Sequence, residues 1–75
     1  MVAVNIMLNT INDVKKFVNI VSKYEFEVDL TSGRYVIDAK SIMGIFSLDL
    51  SKPIKLEAKS GEDSKFLEEI KPFII

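Results

Sequence analysis

From Glu25 to Thr31 the chain alternates without a break. Phe26, Val28 and Leu30 fall on one side, and Glu25, Glu27 and Asp29 on the other. A period of two is that of a β-strand with one face buried and one face in water. A sheet wet on one face is antiparallel and covered on its other face only, so any helices must share that covered face. Thr31-Ser32-Gly33-Arg34 reads as a hairpin turn in which Gly33 takes a positive φ. The return strand is Tyr35 to Ala39, with Tyr35, Ile37 and Ala39 on one face and Val36 and Asp38 on the other.

The rest of the chain supplies the other layers. Val2, Val4, Ile6 and Leu8 alternate with Ala3, Asn5 and Met7 as a first strand. Asn9, Thr10 and Asn12 are each candidates to cap the helix that follows. Ile11, Val14, Phe17/Val18, Val21 and Tyr24 recur in steps of three and four, which predicts an amphipathic helix of about 13 residues, with Lys23 beside its last carbonyls. Ile54, Leu56 and Ala58 alternate with Lys55, Glu57 and Lys59 as a fourth strand. Ser60-Gly61 turns the chain, Glu62 and Asp63 load the first turn of a last helix, and Phe66, Leu67 and Ile70 form its buried stripe. Pro72 stops or kinks that helix, and Phe73-Ile74-Ile75 is expected to pack back onto the body. The expectation is an α+β fold of order β-α-β-β-α-β-α over a single domain, residues 1–75: a four-stranded antiparallel sheet with three helices on one face.

The least ordinary stretch is Ala39 to Leu50. Ser41 stands where a helix N-cap would, its hydroxyl able to accept from a first-turn amide, and Pro53 closes the segment. A helix this short buries one stripe, Ile42, Ile45 and Leu48 by spacing, and leaves Met43 and Phe46 at least partly outward. Exposed methionine and aromatic side chains beside a polar rim make a small interaction patch, with Ile42, Met43 and Phe46 its candidate residues. A phosphate on Ser41 would sit at the positive end of the helix, so Ser41 is also a candidate modification site.

Composition removes most catalytic chemistry. The chain has no cysteine and no histidine, which excludes disulfides, thiolate metal sites, serine–histidine hydrolysis and phosphohistidine. No metal and no cofactor are expected. Ten basic and eleven acidic residues give a net charge of -1 with no basic stripe, so no nucleic-acid partner is expected. No stretch nears the run of about 18 apolar residues of a membrane span, and the first residues lack the charged start of a signal peptide. These features predict a cytoplasmic protein, monomer or weak dimer. Glu68-Glu69 and the row Glu25, Glu27, Asp29 (about 7 Å between neighbours along one strand face) read as solvated carboxylates, because acid–base pairs need two different environments in a cleft. Gly33, Gly44 and Gly61 form no phosphate-cradling loop.

Lys40-Ser41-Ile42-Met43-Gly44-Ile45-Phe46-Ser47-Leu48 resembles the Lys-Ser-Ile-Met-Gly-Val-Met-Ser-Leu signature of HPr, the phosphocarrier of the bacterial sugar phosphotransferase system. Val18-Asn19-Ile20-Val21-Ser22-Lys23-Tyr24 is similar to the end of that family's first helix. The resemblance implies an open-faced β-sandwich and two phosphorylation sites. One is a histidine in a Gly-x-His-Ala-Arg-Pro motif, which receives phosphate from Enzyme I and passes it to permease subunits. The other is a regulatory serine, matched by Ser41, that an ATP-dependent kinase modifies. Counting back along the resemblance places Thr10 at the histidine, Asn12 at the arginine and Asp13 at the proline. A threonine phosphate ester lacks the transfer potential of a phosphoramidate. The resemblance therefore implies a homologue that is not itself an enzyme: a regulatory, protein-interaction module that docks phosphotransferase or regulatory partners, a serine kinase among them, through the Ser41 helix. Two alternatives stand beside it: a phosphocarrier with a non-histidine acceptor near Thr10 or Asp13, and a scaffold module unrelated to sugar transport.

Overall fold

The computed structural model describes residues 2–59 and 64–75. In chain order these form β1 (Val2–Ile6), α1 (Ile11–Val21), β2 (Val28–Ser32), β3 (Tyr35–Asp38), α2 (Ile42–Phe46), β4 (Ile54–Ala58) and α3 (Ser64–Ile70), followed by a 3-10 turn at Lys71–Phe73. The expected Ser60-Gly61 turn and the acidic start at Glu62 and Asp63 lie outside the described residues.

The sheet runs β1-β4-β2-β3 and every neighbouring pair is antiparallel. β1 and β2 both flank β4, so they are parallel to each other and need a crossover, which α1 supplies. β3 and β4 flank β2 in the same way, and α2 lies in their connection. Only the β2–β3 link is a hairpin. Its two turn residues are Gly33 and Arg34, with Gly33 at φ 60 and no non-glycine residue among the described ones at positive φ, the pattern of a type II′ turn.

β1, β2 and β4 bury Ile6, Val28, Leu30, Ile54, Leu56 and Ala58 against Val14, Phe17 and Val21 of α1, Ile45 of α2, and Phe66 and Ile70 of α3, while β3 contributes the half-buried Ile37. No described polar or charged residue is buried. The α+β sheet with its three helices is thus as the patterning predicts.

Four local expectations need correction. β2 begins at Val28, not Glu25, because β4 stops at Ala58, the partner of Val28. Phe26 instead joins Tyr24 and Phe66 in an aromatic trio with centroids 5.1 to 5.4 Å apart. α1 stops at Val21, and the next turn tightens to 3-10-type bonds, Lys23 N–H to Ile20 O and Tyr24 N–H to Val21 O. Ile11 belongs to the stripe by spacing but is 63% exposed, since it opens the helix and nothing reaches over it. Of the tail, Phe73 is buried edge-on to Phe17 at 5.7 Å and Ile74 pairs with Ile6, but Ile75 stays in solvent.

Candidate functional site

Two helix N-termini carry the residues singled out by the sequence. At α2, Ser41 is the N-cap, with φ -96 and ψ 102, and its Oγ accepts from Gly44 N–H at 3.2 Å. Gly44 sits close under this cap: a Cβ there would lie 3.2 Å from Ser41 Oγ and 3.4 Å from Ile37 Cδ1, so Ser41 would have to shift slightly to admit it. The segment is held in place by its neighbours. Lys40 N–H donates to Asp38 Oδ1 at 2.8 Å, and Lys40 Nζ reaches the Tyr24 carbonyl at 2.7 Å, tying the entry of α2 to the exit of α1. Ile45 is fully buried and anchors the helix, Leu48 is buried and Ile42 half-buried. Met43 is 77% exposed and Phe46 40%. α2 therefore combines a solvent-facing serine with two solvent-facing apolar side chains.

At α1 the cap is Thr10. Its hydroxyl accepts from Asp13 N–H at 3.0 Å, while Asp13 Oδ2 accepts from Thr10 N–H at 3.3 Å and from Asn9 N–H at 3.1 Å. This is a reciprocal capping box. Asp13 Oδ2 takes the Asn9 and Thr10 amides and Thr10 Oγ takes the Asp13 amide, and the Asp13 carboxylate repels an anion arriving at this end of the helix. Thr10-x-x-Asp13 has the spacing of such a box, so this feature was visible in the sequence and overlooked there. Asn12 is exposed with no described partner. A groove of about 470 Å³ opens beside this end, between α1 and the tail; its lining includes Asp13, Lys16, Lys23 and Glu69, which leave it with no net charge.

The remaining carboxylates are not acid–base pairs. Glu69 is half-buried, accepts from Lys23 Nζ at 2.9 Å and from the Tyr24 hydroxyl, and those two bonds hold its carboxyl below the usual glutamate range. Lys23 thus serves α3 rather than the carbonyls of its own helix. Of the predicted acidic row only Asp29 lies in a strand. Its neighbours across the sheet are Glu57 and Asp38, a contiguity that sequence order conceals. Among the described residues no group of three or more such ligands suits a metal ion, and no helix is long and apolar enough to cross a membrane.

Comparison with known proteins agrees with this geometry. A family profile described as the PTS HPr component phosphorylation site matches residues 12–75. A sequence search of curated proteins finds no match. Among solved structures, HPr-C-His from Thermoanaerobacter tengcongensis superposes with a TM-score of 0.79 at 25% identity, covering 96% of this chain and 89% of the other. HPr from Bacillus anthracis gives 0.72 at 18%, covering 99% and 96%. Crh of Bacillus subtilis, described as a swapped dimer, gives 0.65 at 21%, covering 93% and 87%. With the family profile matching most of the chain and the fold in agreement, the chain belongs to the HPr family of phosphotransferase-system phosphocarriers.

Proposed function

We propose that this protein is a cytoplasmic regulatory member of the HPr family, a single domain that docks protein partners through Ile42, Met43 and Phe46 and is switched by phosphorylation of Ser41. One observation carries the reading: Ser41 is exposed at the start of a helix whose Met43 is 77% in solvent. Its Oγ only accepts, from Gly44 N–H, so its own proton can leave to a kinase base. A phosphoryl oxygen can take over that acceptance, and the added charge then sits beside the apolar patch and changes what binds there.

Transfer of phosphate from Enzyme I is not part of this function. The chain has no histidine, and at Thr10, where counting along the resemblance puts the family's histidine, the hydroxyl accepts from Asp13 N–H while Asp13 Oδ2 accepts from the Asn9 and Thr10 amides. Incubation with ATP and a serine kinase of the HPr system tests the switch. Intact mass is expected to rise by one phosphate and a Ser41→Ala variant to stay unchanged. No uptake by the wild type, or equal uptake by the variant, overturns it.

A further inference from the structure

The two edges of the sheet are finished differently. β1 is closed by the chain's own tail: Ile74 pairs with Ile6, Met7 N–H donates to Phe73 O at 2.8 Å, and Ile75 N–H to Asn5 O at 3.1 Å. Along β3 no described strand pairs with the outer side, and Tyr35 and Val36 are 70% and 64% exposed. An edge with apolar side chains and unpaired backbone groups is a template for another strand.

The hairpin decides which backbone groups face outward. Ser32 and Tyr35 flank a two-residue turn, so they exchange hydrogen bonds with each other. Tyr35 and Ile37 then turn their amides towards β2, and Ala39 keeps the same phase by donating to Val28 O at 2.8 Å. Val36, between them, turns both its N–H and its C=O to the open edge.

The geometry points to a second copy of this chain on that edge, β3 against β3, antiparallel about a two-fold axis at Val36. In this register the two Val36 residues exchange hydrogen bonds, Tyr35 stands beside Ile37 of the second copy, and Arg34 stands opposite its Asp38 at both ends. A slip of one residue sets outward groups against inward-bonded ones. Slips of two keep the phase but set Arg34 or Asp38 opposite Val36 and lose the charge pairing, and slips of four place arginine or aspartate opposite itself.

A separate feature favours the same register. Glu57, Asp29 and Asp38 stand side by side across β4, β2 and β3, and like charges in that position repel. Lys55 approaches only Glu57, at 3.8 Å. An arginine arriving at the β3 end of the row relieves that repulsion. The pairing strand is four residues long, well below a standard interface, so the dimer is weak and forms at high concentration.

Sedimentation equilibrium of the full chain, from micromolar to millimolar, tests this together with amide NMR over the same range. The average mass is expected to climb towards twice the monomer mass, with shift changes centred on residues 34–38 and slowed exchange of the Val36 amide. Arg34→Asp and Asp38→Arg should each weaken association about tenfold or more, and the double variant should restore it. Val36→Pro removes only an outward donor, so it should stay folded and monomeric. A mass fixed at the monomer value, shifts centred on β1 or α2, or a double variant as weak as the singles overturns the proposal.

Discussion

Thr10 and Ser41 do the same local job, accepting from an amide three residues on, but their settings differ. Thr10 is locked from both sides, because Asp13 returns two hydrogen bonds to the backbone that precedes it. Ser41 is capped from one side only. The first is therefore a stability device and the second a site with spare chemistry. Thr10→Ala is expected to cost about 1 kcal/mol, a fall in melting temperature of roughly 4–8 °C for a domain of this size. Calorimetry checks it, and an unchanged midpoint contradicts the capping box.

Within α2, one face holds the helix and the other is free. Ile45 is its fully buried residue, so Ile45→Ala should cost about 2–5 kcal/mol by emptying core volume, a large part of a small domain's stability. Met43→Ala and Phe46→Ala should change stability by no more than about 0.5 kcal/mol while lowering affinity for any partner that docks there. Chemical denaturation of the three variants separates the two faces, and equal losses would contradict them.

Between α1 and α3 an ion pair adds to the apolar packing. Lys23 and Tyr24 hold the folded Glu69 carboxyl below its ordinary range. A depressed folded value means a contribution that is present above the unfolded value and lost as pH falls through the folded one. Wild type should thus lose more stability than Glu69→Gln on acidification below the ordinary glutamate range; parallel pH curves would refute the link.

At the scale of the molecule, alternation and helical spacing carried most of the architecture, because each element buries one face and shows it as a period. What they missed depends on neighbours. The start of β2 is fixed by where β4 ends, the exposure of Ile11 by what fails to cover it, and the row Glu57, Asp29, Asp38 by strand pairing between residues far apart in sequence. Ser41 was legible because a cap and an apolar stripe are both local patterns. The role of Asp13 was equally local, in Thr10-x-x-Asp13, but was passed over in favour of the proline position that the resemblance implies for it.

The central claim is that the serine helix persists while the phosphocarrier site is gone. Intact mass after separate incubation with two phosphate donors tests it most directly. With ATP and the serine kinase, one phosphate is expected, mapped to Ser41. With phosphoenolpyruvate and Enzyme I, none is expected. An acyl phosphate on Asp13 or an ester on Thr10 in the second incubation, or an unmodified Ser41 in the first, would contradict the account.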